Sequence, residues 1–289
     1  MQSPVEIIGH KLGIPSPLRS KLKNHFSPAF LRAGEITREV LARREKGELT
    51  ELEKNCYLVR SFDSPHDDVS TEELIELLNI TLLASVDTTS SMVNWVVANL
   101  ACNQEVQDQL RQEVTEAMAG GGFTDQLASK SSLPFLSQVL RETHRLTPSL
   151  AVSIMKQVQR DVQLCGYDIP AGKVVSLDAF SIQNDPAYVD KPEAFVPSRW
   201  SAEEVSKRKG TPKEIIDHRL LADPFSAGAR MCPGSRVANM EVRCLLSHLV
   251  RSYRFEWQGA GPISAADIPY QQGSTIQPNP LPPLKITPV

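Results

Sequence analysis

The chain has 289 residues, of which 41% are hydrophobic and 22% charged, with a formal net charge of -3. That apolar mass suffices for a core and excludes a disordered, collagen-like or low-complexity protein. The near-neutral balance and pI of about 6.1 provide no basic excess for nucleic acid. At roughly 150 residues per domain, the length admits one large domain or two smaller ones.

The first fifteen residues lack the basic and apolar regions of a secretory signal. No run approaches the roughly 18 apolar residues of a membrane span, and the best one, Leu77 to Leu83, is broken by Asn79 and Thr81. Five scattered cysteines (Cys56, Cys102, Cys165, Cys232 and Cys244) form no C-x-x-C pair, which argues against a disulfide framework or structural zinc and for a reducing compartment.

Residues 1 to about 30, polar and proline-interrupted, read as loop with short helical pieces, and a charged helix is predicted from about Ala33 to Arg60. Ser70 with Glu73 three residues on forms a capping box, so a helix should start there. It runs to about Cys102 and is apolar around much of its girth, which places it in the core. An amphipathic helix from Glu105 to Met118 stops at three glycines, and another follows Pro134 and ends near Leu146. Lys156 to Ser176 is rich in β-branched residues and reads as short strands. Pro192 to Trp200 and Ala222 to Ser235 are irregular; a last helix, Arg236 to Arg254, is expected to turn Val237, Met240, Leu245, Leu246 and Leu249 inward. The tail from Ile263 carries a closing hairpin, and the fold class is α+β: mainly helical, with small sheets.

The sharpest feature is Phe225-Ser-Ala-Gly228-Ala-Arg230-Met-Cys232-Pro-Gly234, a glycine-punctuated loop that presents one cysteine just before a helix N-terminus. The helix dipole, backbone N–H groups and Arg230 favour a thiolate there, and such an anion suits a metal. On base rates alone, a lone cysteine is a small core residue. The loop resembles the haem-binding loop of the cytochrome P450 family, F-x-x-G-x-R-x-C-x-G, at every fixed position. That resemblance implies a P450 fold and a b-type haem whose iron takes Cys232 as axial thiolate, electron density from the sulfur favouring O–O cleavage. Phe225 would then shield the sulfur, Arg230 would pair with a propionate, and Gly228 and Gly234 would complete the haem-binding loop.

Two further stretches match the same family. Glu142 and Arg145, at i and i+3, share a helix face; alone such a pair is usually a solvated one worth under ~1 kcal/mol. The resemblance makes it a structural triad with Arg199 of Phe195-Val-Pro-Ser-Arg199-Trp200, and His144 between them reads as a satisfied structural histidine. Ala84-Ser85-Val86-Asp87-Thr88-Thr89 places an acid and hydroxyls within an apolar helix. It reads either as back-bonded or solvated side chains, or, by resemblance, as the distal helix whose Asp87 and Thr88 relay protons towards dioxygen. Ser85 stands where the family has glycine. The resemblance also implies a propionate partner on the strand after the E-x-x-R helix; counting from either side gives Met155 or Lys156, of which Lys156 is preferred, with an ordinary surface lysine an equal reading of it. Residues 149–154 and 273–275 would line the substrate side.

The resemblance covers about residues 30 to 289, so residues 1–289 are expected to form a single incomplete P450 domain without the anchor, the first sheet strands and the W-x-x-x-R helix. It implies a monooxygenase that inserts one atom of O2 into a lipophilic substrate, with electrons from NADPH through P450 reductase or a ferredoxin. Membrane association at the endoplasmic reticulum or mitochondrial inner membrane follows by family, with no anchor in this chain and no nucleic-acid partner. Arg141 gives a partial match to the mitochondrial branch, whose second basic position falls at Ser137; Arg141, Arg236 and Arg243 would form a basic face for an acidic partner. Open alternatives are a non-catalytic haem-binding or decayed fragment and a regulatory half-protein.

Overall fold

A computed structural model describes residues 16–63, 70–150, 154–259, 261–272 and 275–289. The chain divides into two units, Met1–Val86 and Asp87–Val289.

In the first unit, α1 (Ser16–Glu45) is one continuous helix through Pro28, where short pieces were expected from the prolines. The charged helix predicted to reach Arg60 instead breaks after Glu45, where Gly47 takes a φ of 73° open to glycine at little cost. Two short helices follow, α2 (Glu51–Lys54), started by a Thr50–Glu53 capping box, and α3 (Tyr57–Phe62). Ion pairs Arg43–Glu53 and Arg44–Asp63 tie them to the end of α1. Helix α4 (Thr71–Cys102) opens at the expected capping box: Ser70 Oγ accepts the Glu73 N–H at 3.2 Å and the Glu73 carboxylate accepts the Ser70 N–H at 2.9 Å. Gly34 is buried where a Cβ would lie 3.6 Å from Ile75 Cγ2, so α1 and α4 approach closely there. Among the described residues of this half of α4, Leu74, Ile75 and Asn79 are buried, whereas Leu77, Ile80, Leu82 and Val86 are exposed, so the apolar girth expected to place the helix in the core is partly on the surface here.

The second unit begins inside α4 and adds α5 (Gln104–Ala117) and α6 (Pro134–Leu146). Strands β1 (Ile154–Gln157), β2 (Val162–Leu164), β3 (Tyr167–Ile169) and β4 (Val174–Leu177) pair antiparallel as β1–β4 and β2–β3. Short helices α7 (Ala179–Asn184), α8 (Ala202–Arg208) and α9 (Arg219–Ala222) lead to α10 (Ser235–Ser252). The strands β5 (Tyr253–Trp257), β6 (Tyr270–Gln272), β7 (Ile276–Pro278) and β8 (Leu284–Pro288) pair as β5–β8 and β6–β7, the latter being the expected closing hairpin.

The main core joins Val96 and Leu100 of α4, Leu110 and Val114 of α5, Leu136 and Val139 of α6, and Leu246 and Val250 of α10. Each such side chain contributes about 1.5–3 kcal/mol on burial. Helix α10 presents Val242, Leu246 and Val250 inward, and the expected Val237, Met240 and Leu245 are exposed. It also stops before Arg254, because Arg111 takes its last carbonyls, donating through Nε to Val250 O and through Nη2 to Tyr253 O, both at 3.0 Å. The chain then continues as β5, whose Phe255 N–H is accepted by the buried Gln107 amide at 2.8 Å. At the start of α6 the Glu113 carboxylate accepts the N–H groups of Phe135 and Leu136 at 2.7 and 2.9 Å, meeting the positive end of that helix.

Candidate functional site

Helix α6 brings Glu142 and Arg145 into the interior, where both side chains are fully buried. Arg145 donates through Nε to Glu142 Oε2 at 3.0 Å and through Nη2 to Oε1 at 2.9 Å. Its remaining N–H groups reach Asn184 Oδ1 at 2.9 Å, Pro192 O at 2.8 Å and Ala194 O at 2.9 Å, so the guanidinium is a junction for the chain between α7 and Trp200. Glu142 in turn accepts Val196 N–H at 2.9 Å, Trp200 Nε1–H at 2.8 Å and, more weakly, Arg199 Nε–H at 3.4 Å. Arg199 spends its other end on Asp190 O at 2.8 Å. This is a buried charge pair with its hydrogen-bonding capacity filled, the condition under which such a pair is tolerated.

His144 is buried beside this junction, but it is not satisfied: its Nε2 has no partner among the described residues. Burial pushes the imidazole down to about 4, with Asp223 pulling it back up and Arg141 pushing it further down. The basic face expected of Arg141, Arg236 and Arg243 does not form. Arg141 pairs with Asp217 at 3.0 Å and stacks 3.9 Å over the Trp200 ring; Arg243 is 1% exposed and donates to Ser137 Oγ at 2.6 Å.

The Cys232 loop is fixed by its backbone. Asp223 Oδ1 accepts the Phe225 N–H at 3.0 Å, an Asx turn at the loop entrance. Ser226 follows in the left-handed region, with φ 64°, and Gly228 has φ 80°. A single helical turn at Gly228–Arg230 carries the chain back until Cys232 N–H donates to Phe225 O at 2.9 Å. Helix α10 begins three residues later, at Ser235. Cys232 is half-buried, and a Cβ at Gly234 would touch its sulfur at 3.9 Å, so glycine leaves the space beside the thiol clear. Met231 and Val237, on either side of the cysteine, are exposed. The backbone of Arg230 belongs to the turn; its side chain lies outside what is described.

On α4, Asp87 and Thr88 are half-buried. Asp87 Oδ2 accepts Thr275 Oγ1–H at 2.9 Å, a contact between residues 188 apart that sequence patterns do not reveal. Thr275, expected beside the substrate, thus turns its hydroxyl to the acid. Ser85, in the glycine position, bonds back to Leu82 O at 2.9 Å. Lys156 is exposed on β1, opposite Val175. Residues 151–153, 273 and 274 lie outside the described residues.

The family profile described as Cytochrome P450 matches residues 11–281. Cytochrome P450 10 of Lymnaea stagnalis is 34% identical over 207 residues, 72% of this chain and 37% of that protein. Geraniol 8-hydroxylase of Catharanthus roseus is 30% identical over 265 residues, 91% and 51% of the two chains. The mitochondrial sterol 26-hydroxylase of Rattus norvegicus is 32% identical over 197 residues, 68% and 34%. The chain therefore spans between 34% and 51% of the length of these relatives. With a profile match along most of its length, a backbone-held cysteine ahead of α10 and the buried Glu142–Arg145 junction, the chain belongs to the cytochrome P450 family.

Proposed function

We propose that the chain is the haem-thiolate portion of a monooxygenase that inserts one atom of O2 into a lipophilic substrate, with electrons from NADPH through a reductase or ferredoxin. The observation that carries this reading is the Cys232 loop, a half-buried thiol whose own N–H is tied to Phe225 O at 2.9 Å. Among the described residues no group of three or more His, Cys, Asp and Glu side chains could hold a metal ion. Cys232 offers a single thiolate donor, and a haem, the group the family implies, would bring the iron's other ligands with it. When bound, the haem supplies the activation of dioxygen.

The chain's own residues do the rest. Cys232 offers the thiolate ligand, and the Asp223–Phe225 turn and Gly228 hold it in place. With haem bound, Phe225 would shield the sulfur, and Arg230 and Lys156 would pair with the propionates. Asp87 and Thr88 would hold and pass protons towards dioxygen. Glu142, Arg145 and Arg199 orient the segment before the loop and take no part in the chemistry. Among the described residues no helix is long and apolar enough to cross a membrane; membrane association follows from the family alone.

The second reading is a haem-binding chain without turnover of its own. Supplying the haem-loaded chain with O2, NADPH, a lipophilic probe and either a P450 reductase or a ferredoxin system separates the two. The first reading expects product that disappears in Cys232→Ser, and absence of product with both donors would leave the second.

A further inference from the structure

We propose that Thr275 is a positioning residue for Asp87: docked against α4 by the 275–277 segment, its hydroxyl sets where the Asp87 carboxylate can hold a proton. The inference rests on the monooxygenase reading above, in which Asp87 passes protons.

Four side chains of α4 address this segment. Thr275 Oγ1–H donates to Asp87 Oδ2 at 2.9 Å, and Gln277 Nε2 donates to the Asp87 backbone carbonyl and to Thr275 Oγ1, both at 3.2 Å. One turn on, Ser91 Oγ–H donates to Ile276 O at 2.7 Å, and Trp95 Nε1–H reaches the same carbonyl at 2.9 Å. Asn94 makes a longer contact with Gln277 Oε1 at 3.4 Å. Positions 87, 91, 94 and 95 follow the i, i+4, i+7, i+8 spacing of one helix face. From the other side, Ile276 N–H donates to Ser149 O at 2.8 Å.

Ser91 and Trp95 are buried to 0 and 1% exposure and bond only to backbone, so they anchor the segment by themselves. The Thr275 bond is of another kind. It lies where α4 passes from buried Ser91 to half-buried Asp87 and exposed Ala84, and its acceptor is a carboxylate. Thr275 is itself 4% exposed. A hydroxyl has one proton to give, and here it goes to Asp87 Oδ2 while the oxygen accepts from Gln277. Thr275 therefore neither gains nor loses a proton in turnover, and it acts through the acid it holds.

The test compares Thr275→Val, which keeps the shape and removes the hydroxyl, with Thr275→Ser, which restores it, and Asp87→Asn; Thr275→Ala serves should valine fold poorly. The infrared carboxylate band that Asp87→Asn abolishes is expected to shift in Thr275→Val and return in Thr275→Ser, with or without haem. In the haem-loaded chain with its electron donor, product formed per NADPH consumed should fall severalfold in Thr275→Val at unchanged KM and recover in Thr275→Ser. An unmoved band, or native coupling in Thr275→Val while Asp87→Asn is impaired, overturns this inference and leaves the monooxygenase reading intact. Native coupling in Asp87→Asn overturns the proton-passing role itself, and this inference with it.

Discussion

Around Glu142 both carboxylate oxygens and every guanidinium nitrogen of Arg145 have a protein partner, whereas around Cys232 the backbone is held and the sulfur has no hydrogen-bond partner among the described residues. Both residues sit in short motifs of the same unit. The first pattern is that of a structural junction, because a buried ion pair is tolerated only when its hydrogen bonds are complete. The second is that of a ligand seat, with local strain at Ser226, a Cβ-free neighbour at Gly234 and a half-open thiol. Satisfaction of polar atoms, more than the motif, distinguishes the two roles.

The sharpest way to break the comparison is Glu142→Gln, which keeps the shape and leaves the Arg145 charge buried without its counter-ion. A loss of about 3–5 kcal/mol is expected in urea unfolding, and a loss below about 1 kcal/mol would show that the junction is not the buried pair described.

Next in size is a pH effect at the edge of that junction. His144 titrates at about 4 in the folded chain against 6.5 as its ordinary value. Between these values the unfolded chain binds more protons, so stability rises with pH across the window. The contribution is complete above pH 6.5 and is lost as the pH falls towards 4, amounting to about 3 kcal/mol. Asp223 and Arg141 are the charged groups acting on it. In His144→Leu the unfolding free energy should be flatter over that range than in the native chain; an unchanged slope would assign the acid sensitivity elsewhere.

At the loop the expected effects are smaller. Ser226→Gly removes the left-handed strain and should stabilise by about 1 kcal/mol, read as a raised unfolding midpoint; a lowered midpoint would mean that the serine side chain holds the loop. Cys232→Ser should change stability by less than about 0.5 kcal/mol, since the sulfur is only half-buried and the loop's bonds are made by the backbone.

What could be read from the amino acids was local. The Ser70–Glu73 box gave the start of α4, the three glycines ended α5, and the fixed residues of the loop and of E-x-x-R carried the family. Long-range partners were not legible. The apolar residues of α10 fit more than one face, and it took α5 and α6 to select Val242, Leu246 and Val250 over Val237 and Met240. Arg111 ends α10 and Gln107 receives β5 from more than a hundred residues away in sequence, so helix was expected to continue into Arg254. Nor does the pattern disclose that His144 is buried with no partner for Nε2 among the described residues, or that Thr275 faces Asp87.

The central claim, that Cys232 is left free by its own loop to ligate a haem iron, is tested most directly by the reduced carbon monoxide spectrum of the haem-loaded chain. A thiolate-type Soret band in the native chain that is lost in Cys232→Ser, with folding unchanged, is the predicted result. A band of the same position and intensity in Cys232→Ser, or none in a native chain shown to hold haem, would contradict it.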